Sequence, residues 1–217
     1  MRQQLAGWPL LVPLALMVAC DDGSTSADGG RDIGIRQDSF KSDSDRDGAS
    51  PDLPPGHKRV FVSSTKHDGN LGGLTGADAK CQQTADAAGL GGRWIAWVST
   101  TTADAIDRLA DVGPWYGLDG KRFFADKAAV ASITTGPDNG LWRDEKGSFL
   151  PSDRIWTGTG PGGRYVSSIG DACQAWTSAS MSDQARIGIV GRVDYTWTSY
   201  SFTTCDQAYL RPICFEQ

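Results

Sequence analysis

The sequence predicts an α+β domain over residues 57–217, and three observations lead to this fold class. Helical periodicity is confined to the first part of this region, and short apolar or alternating runs bounded by glycine and proline fill the remainder. The region holds seven of the eight tryptophans and four of the five cysteines. About 160 residues are enough for one buried core and short for two. We therefore expect two helices packed on short antiparallel strands, with long loops and two disulfides.

The charge of this domain is nearly neutral, with sixteen Lys or Arg residues against seventeen Asp or Glu residues. A domain that binds nucleic acid normally presents a strongly basic face. The composition therefore argues against a nucleic-acid partner, and it indicates no particular oligomeric state.

An export signal is predicted over residues 1–19. One basic residue, Arg2, precedes a short apolar run that is broken by proline and too short to span a membrane. Its end, Leu16–Cys20, resembles a bacterial lipobox, in which the signal is cut before the cysteine and the thiol carries lipid. The resemblance implies a lipid anchor on Cys20 and a location in the outer membrane or at the cell surface. The alternative is an ordinary signal cut near Ala19, with Cys20 as a spare thiol.

Residues 20–56 are predicted to form a disordered acidic tether. Asp, Gly, Ser and Pro dominate this segment, so it cannot bury enough apolar surface to offset the entropy of ordering. Residues 43–48 have the D-x-D-x-D-G spacing of a calcium loop, but Pro54 stands where the loop needs a closing Glu. We therefore interpret this run as part of a charged linker.

The first strand and helix of the domain are predicted from periodicity and turn residues. Arg59–Ser64 is an apolar run typical of a strand, and a glycine-rich turn follows it. Small or apolar residues then repeat at helical spacing: Ala77, Cys81, Ala85 and Ala88. They predict a helix over 77–88, with Thr75 or Gly76 as its cap. Gly89 is expected to end it.

A buried strand is predicted next over 93–99, and a second helix over 102–110. Thr101 and Asp104 have the spacing of an N-terminal capping pair. Asp119-Gly120 then predicts a hairpin between strands at 115–118 and 121–124. Further strands are expected at 154–157, 164–167, 186–190, 194–198 and 208–215.

The four cysteines of an exported domain are expected to form disulfides. Three pairings of Cys81, Cys173, Cys205 and Cys214 are possible, and the cysteine positions alone do not choose among them.

Motifs distributed in order along residues 60–217 resemble endostatin, the C-terminal module of collagens XV and XVIII. The matching segments are 76–81, 88–90, 94–99, 155–158, 163–164, 173–176, Cys205 and 214–216. The same pattern occurs in bacterial endostatin-like lipoproteins, best known as leptospiral surface adhesins and first recorded as a domain of unknown function. The resemblance implies a C-type-lectin-like fold, with Cys81 paired to Cys214 and Cys173 paired to Cys205.

No metal or cofactor is expected. Lectins of this fold bind calcium through two motifs rich in carboxylates and amides, and calcium needs six to eight oxygen ligands. The nearest motifs here are Pro137-Asp138-Asn139, which follows a glycine, and Trp197-Thr198-Ser199, which has no carboxylate. Endostatin binds zinc through histidines, but His57 and His67 alone do not make a tetrahedral site.

The candidate ligand-binding residues are basic and aromatic. Endostatin binds heparin-like glycans through clustered arginines, and a similar patch would require folding to gather Lys58, Arg59, Arg93, Arg154, Arg164, Arg186 and Arg192. Four tryptophans belong to the framework motifs and are expected in the core: Trp94, Trp97, Trp156 and Trp176. The others lie nearer loops and are expected at the surface, where tryptophan anchors partners. The resulting candidate set is Trp115, Trp142, Trp197, Arg154, Arg164 and Arg192.

The chain carries no catalytic motif that we recognise, so an enzyme is not expected. A carboxylate pair could form among Asp138, Asp144, Glu145 and Asp153, but nothing singles one out. The sequence favours a lipid-anchored, adhesin-like envelope protein that binds an extracellular protein or glycan without calcium. The alternatives are a carbohydrate-active enzyme or its accessory module, and a structural role in the envelope.

The anchor is tested by Cys20→Ala. Because the thiol is the acceptor of the lipid, we expect the variant to lose metabolic lipid labelling and to move from the membrane fraction to the soluble fraction. A variant that still labels and still sediments with membranes would contradict the lipobox interpretation.

Overall fold

Eight strands form one mixed sheet in the computed structural model, which describes residues 53–167 and 172–217. The strands are Lys58–Val62 (β1), Trp94–Ala96 (β2), Trp115–Gly117 (β3), Arg122–Phe124 (β4), Arg154–Trp156 (β5), Gln184–Ile189 (β6), Ser201–Thr204 (β7) and Arg211–Glu216 (β8). Their order is β4-β3-β1-β8-β5-β6-β7, and β2 also pairs with β8. Cys20, the predicted signal peptide and the predicted tether through residue 52 lie outside the described residues.

Two strand pairs are parallel, which corrects the prediction of purely antiparallel strands. β1 pairs with β3 and β5 pairs with β8 in parallel, whereas the other pairs are antiparallel. A parallel pair needs a long crossover between its strands. Here the first helix and β2 lie between β1 and β3, and β6 and β7 lie between β5 and β8.

Both faces of the sheet centre are buried. Successive side chains of a strand point to opposite faces, and each face is covered by its own apolar cluster. In β1, Val60 and Val62 belong to the first cluster and Phe61 to the second. In β8, Phe215 belongs to the first cluster and Cys214 to the second. A strand that is covered on both faces has apolar residues at successive positions, and this explains the unbroken apolar runs of β1, β2 and β8.

The first helix, α1, spans Gly73–Ala87 and covers one face of the sheet. Its predicted buried face is confirmed at Ala77, Cys81 and Ala85. The predicted cap is wrong, because the helix begins directly after Gly72, which adopts a left-handed conformation with φ 84°. At Gly76 a Cβ atom would lie 2.3 Å from the Leu71 carbonyl oxygen, so this glycine permits the close approach of the preceding turn.

The second helix, α2, is shorter than predicted and spans Ala105–Arg108. Asp104 is its N-cap residue, but the Asp104 side chain makes no capping hydrogen bond, so the predicted capping pair does not form. The N–H of Ala105 at the start of the helix donates to the Ser99 hydroxyl at 2.8 Å. The Asp104 carboxylate instead accepts hydrogen bonds from Arg164 at 2.9 Å and from the backbone N–H of Tyr165 at 2.6 Å. Hydrogen bonds to residues distant in the sequence therefore replace the capping hydrogen bond that the Asp104 side chain was expected to make.

The later part of the chain corrects several predicted elements. The 115–124 hairpin and the strands at 154–157, 186–190 and 208–215 are confirmed as β3–β4, β5, β6 and β8. The predicted strand at 164–167 is only an isolated bridge between Thr159 and Tyr165. The predicted strand at 194–198 is a 3-10 turn over Tyr195–Trp197, because the Asp194 side chain accepts the N–H of Thr196.

The sequence did not predict β7, the helices Lys127–Val130 (α3) and Ala172–Trp176 (α4), or the 3-10 turn Pro161–Gly163.

Two disulfides join Cys81 to Cys214 and Cys173 to Cys205, which is the pairing that the resemblance implies. The first ties α1 to the central strand β8. The second starts within α4 at Cys173, and all five residues of α4 have positive φ, between 52° and 69°. Left-handed backbone costs about 1–2 kcal/mol per non-glycine residue, so the crosslink holds a strained turn in place.

Within the described residues, no helix combines the length and the apolarity needed to cross a bilayer.

The disulfides are expected to contribute unequally to the free energy of unfolding. Cys81–Cys214 has a sequence separation of 133 residues and Cys173–Cys205 of 32. Loop-closure entropy then predicts that Cys81→Ala with Cys214→Ala costs about 5 kcal/mol and that Cys173→Ala with Cys205→Ala costs at most about 4 kcal/mol. Denaturant unfolding of the two double variants measures both values. A larger loss from the second pair would contradict the entropic account.

Candidate functional site

The tryptophans divide into buried and partly exposed residues. The prediction of a core position is confirmed for Trp94, Trp97, Trp156 and Trp176, which are at most 2% exposed. The prediction of a surface position is wrong for Trp115 and Trp197, which are 0% and 5% exposed.

Tertiary packing explains both corrections. Trp115 lies in β3, where pairing with β1 brings it edge-on to Phe215 at a ring distance of 5.7 Å, and its N–H donates to the Glu216 carbonyl at 2.9 Å. Trp197 stacks on Trp97 at 5.3 Å. Neither tryptophan is available as a surface anchor.

Trp142 is the candidate tryptophan that remains partly exposed. Its ring stacks on that of Phe149 at 5.8 Å with an angle of 24° between the planes, and Phe149 is 58% exposed. The two rings lie on the arms of a tight loop, in which Leu150 donates its N–H to the Trp142 carbonyl at 2.9 Å and Arg143 bridges to Phe149. Phe149 was missed by sequence reasoning, although the Lys146-Gly147 turn between two aromatic residues signals such a loop.

The indole N–H of Trp142, like that of Trp197, differs from those of the five most buried tryptophans. The five most buried indoles donate to backbone carbonyls or to Thr198. No described residue accepts a hydrogen bond from Trp142. A flat ring with an unused donor at a solvent-facing position suits the recognition of a partner.

A close contact with Gly191 holds the Trp142 ring in place. A Cβ atom on Gly191 would lie 2.2 Å from the six-membered ring, and Gly191 adopts a φ of 80°. The next two residues in the chain, Arg192 and Val193, follow directly from this contact point. Arg192 is exposed and forms no hydrogen bond or ion pair with the residues that the structure describes, and Val193 is 55% exposed. We call Trp142, Phe149, Arg192 and Val193 the aromatic loop surface.

The other two candidate arginines do not join this surface. Arg154 pairs with Ile189 at the end of β6, but its guanidinium donates to the Tyr209 hydroxyl at 3.5 Å. Arg164 lies 2.9 Å from Asp104 and 3.7 Å from Asp107, so its charge is neutralised elsewhere.

The remaining basic residues proposed for a glycan patch have separate environments. Arg59 forms an ion pair with Glu216 at 2.7 Å, and Lys58 donates to the Gln217 carbonyl. Arg186 donates to the Ser199 hydroxyl at 3.0 Å, and burial lowers the pKa of its guanidinium. Arg93 is exposed. Among residues 53–167 and 172–217, these basic residues therefore form no common cluster, and Arg192 is the cation of the aromatic loop surface.

The acidic residues that a calcium or catalytic site would use have structural partners. Asp138 lies 2.6 Å from Arg122, and Asn139 donates to the Arg122 carbonyl at 2.8 Å. Asp144 accepts the N–H groups of two residues in its own turn, Glu145 accepts the N–H of Ser64 at 2.7 Å, and Asp153 lies 3.4 Å from Arg211. Among residues 53–167 and 172–217, no group of three His, Cys, Asp or Glu side chains is arranged to hold a metal ion.

Comparison with known proteins agrees with an endostatin-like relationship. The model of a family described as protein of unknown function (DUF1554) matches residues 64–194. The human collagen alpha-1(XVIII) chain is 28% identical over 190 residues, which cover 77% of this chain and 10% of the collagen chain. The chain thus spans about a tenth of the length of this curated relative, and the similarity is limited to that part.

Gly191→Ala tests the packing that builds the aromatic loop surface. Gly147 provides a matched control, because it has a similar φ of 78° and no atom within 4 Å of an added Cβ. We expect Gly147→Ala to lower the free energy of unfolding by about 1–2 kcal/mol through backbone strain alone. Gly191→Ala adds a steric clash and is expected to cost about 1–3 kcal/mol more. Denaturant unfolding measures the difference, and equal losses would contradict the contact with Trp142.

Proposed function

The chain belongs to the DUF1554 family, and from that premise we propose that it is a lipid-anchored binding protein of the bacterial cell envelope. In this proposal residues 57–217 form an endostatin-like module with a C-type-lectin-like fold. Cys20 carries the lipid, and the acidic tether holds the module away from the membrane. The module binds an extracellular partner without calcium, in the manner of an adhesin.

The aromatic loop surface is the observation that carries this proposal. Trp142 and Phe149 present stacked rings at the surface. Arg192 adds an exposed cation that forms no hydrogen bond or ion pair with a described residue. Hydrogen bonds from a neighbouring threonine lower the pKa of the nearby Asp194 carboxyl, and the charge of Arg192 lowers it further. Tryptophan and arginine are the residues most enriched where binding energy is concentrated in protein interfaces. Because Gly191 fixes the Trp142 ring, binding would cost little side-chain entropy.

A protein is the ligand class that the surface favours over a glycan. Val193 is 55% exposed and Phe149 is 58% exposed, so the surface combines aliphatic and aromatic area. A sugar stacks on an aromatic face but gains little from an aliphatic side chain, whereas a protein interface core uses both. The neutral charge balance of the module also gives no general attraction for an acidic polysaccharide.

Two further features support an exported binding module. Both disulfides join buried cysteines, as expected for a protein that folds in an oxidising compartment. The Asp138 carboxylate, which belongs to the nearest calcium-like motif, already pairs with Arg122, so the proposed recognition uses no bridging ion.

Trp142→Ala tests the proposal in the Cys20→Ala chain, which removes the complication of the membrane. Binding is measured by interferometry on immobilised extracellular-matrix proteins and on immobilised polysaccharides, with calcium and with chelator. We expect at least one matrix protein to bind, and the variant to bind it about 30-fold more weakly, because a central aromatic anchor contributes about 2 kcal/mol or more. Chelator is expected to leave the affinity unchanged.

Phe202→Ala is the matched control, because Phe202 is 52% exposed but lies on β7, outside the aromatic loop surface. It is expected to leave the affinity within about threefold of the parent chain. Equal effects of the two variants would contradict the assigned surface. Binding to polysaccharides alone that Trp142→Ala abolishes would replace the protein ligand of this surface by a glycan, and loss of binding with chelator would contradict calcium independence.

A further inference from the structure

A second concave site lies between α1 and two loops, and it does not involve Trp142 or Arg192. The cavity has a volume of about 290 Å³. Since one water molecule occupies about 30 Å³ of liquid, the cavity has room for about ten waters, which is the size of a single sugar ring. Its lining residues are Thr65, His67, Lys80, Gln83, Thr84, Ala87, Ala88, Glu145 and Lys146.

Hydrogen bonds hold two of the residues in the walls of this cavity in place. Glu145 is buried, and its carboxylate accepts both the N–H and the hydroxyl of Ser64. His67 is fixed by its backbone, which donates to the Leu210 carbonyl at 2.8 Å and accepts the Trp156 indole N–H at 3.0 Å. Such walls form a site that is organised before a ligand arrives.

Two lysines give the cavity its charge. Lys80 is partly buried on α1, where its carbonyl accepts the Thr84 hydroxyl at 2.8 Å, and its ammonium forms no hydrogen bond or ion pair with any described residue. Lys146 is exposed, and its ammonium lies 4.0 Å from a Glu145 oxygen that already accepts from Ser64. The lining therefore holds one carboxylate and two ammonium groups, and it has an excess of positive charge.

The remaining lining groups suit a small molecule that carries hydroxyls. Gln83, Thr84 and Thr65 offer hydrogen-bonding side chains, and Ala87 with Ala88 offers a short apolar surface. We propose that this cavity binds a monosaccharide-sized carboxylate, with the carboxylate against Lys80 and His67 and with hydroxyls against the polar wall. The ligand is a sugar acid, either free or at the end of an acidic polysaccharide.

The ionisation of His67 supports this assignment. Burial lowers the pKa of its imidazole, Lys80 lowers it further, and Asp68 opposes both effects. Glu145 and Lys146 are the other charged groups that line the cavity. A bound carboxylate would stabilise the imidazolium, so the pKa in the complex lies above that of the free protein. Affinity therefore rises as the pH falls through the pKa of the complex and levels off below the pKa of the free protein.

The test uses D-galacturonate as the probe and neutral D-galactose as its matched control, with the full chain carrying Cys20→Ala. Because the chain has two histidines, a His57→Gln variant identifies the His67 signal in an NMR titration. We expect galacturonate to raise the pKa of His67 and galactose to leave it unchanged. Calorimetry is expected to show tighter binding of galacturonate as the pH is lowered from about 8 to about 5.5.

Lys80→Met tests whether galacturonate binds in this cavity or is only attracted by the overall charge of the protein. It removes the proposed carboxylate partner, so binding is expected to weaken at least about tenfold. It also removes a neighbouring positive charge, so the pKa of His67 in the free protein is expected to rise. Lys66→Met is the control, because Lys66 is exposed and does not line the cavity. Lys146→Met, at a side chain that is 69% exposed, leaves folding intact and is expected to weaken binding severalfold.

The results that would overturn the cavity proposal differ from those that would contradict the aromatic loop surface. Equal binding of galactose and galacturonate, no binding at millimolar concentrations, or an unchanged pKa of His67 in the complex would each overturn the proposal. Equal loss from Lys66→Met and Lys80→Met would also overturn it. Tighter binding of trigalacturonate than of the monomer would identify a polysaccharide end as the ligand, and preference for the monomer would identify a free sugar acid.

Discussion

The burial of the last strand, β8, at the centre of the sheet is the constraint on which the rest of the structure depends. This strand pairs with β1, β2 and β5, and all six of its residues are buried. Its Cys214 is also bonded to Cys81 of α1. The elements that flank β8 come from the early and the middle parts of the chain. The sheet therefore closes only when the final residues are in place, and non-local pairing of this kind is entropically costly to form.

Charged residues at the two ends of β8 help to set its position in the sheet. At one end, Arg211 donates to the Ser63 carbonyl at 3.0 Å. At the other end, burial raises the pKa of Glu216, but the hydrogen bonds and charge of Arg59 lower it more, so the net pKa is below the ordinary value. Arg59 in turn lies over the Trp94 ring, 5.3 Å from its centroid. A shift of register would leave these buried charges without partners, which is strongly destabilising.

Both proposed sites use the loop over residues 142–150, which the sheet holds at fixed points. The arms of this loop carry Trp142 and Phe149, and its turn carries Glu145 and Lys146. Glu145 anchors the turn to the end of β1 through Ser64, and Asp144 bridges to Val62. Recognition residues on loops that a rigid scaffold positions are a common solution in binding proteins. Here one short loop contributes to an aromatic surface and to a polar cavity.

The sequence by itself determined the fold class, the buried face of α1 and the hairpin at Asp119-Gly120, because periodicity and turn chemistry act over a few residues. The core positions of four tryptophans followed from the framework motifs that resemble endostatin. The sequence pointed to Trp142 and Arg192 as binding residues, but it did not predict that Gly191 packs against the Trp142 ring. It also did not predict the cavity that Lys80 and His67 both line. Pairing between β1 and β3 buries Trp115. The Asp104 side chain does not cap its helix, because it accepts the backbone N–H of a residue 61 positions away. Strands of three residues carry too little periodicity to reveal their partners. The mixed sheet and both candidate sites therefore depend on contacts between distant segments, and only the tertiary structure decides them.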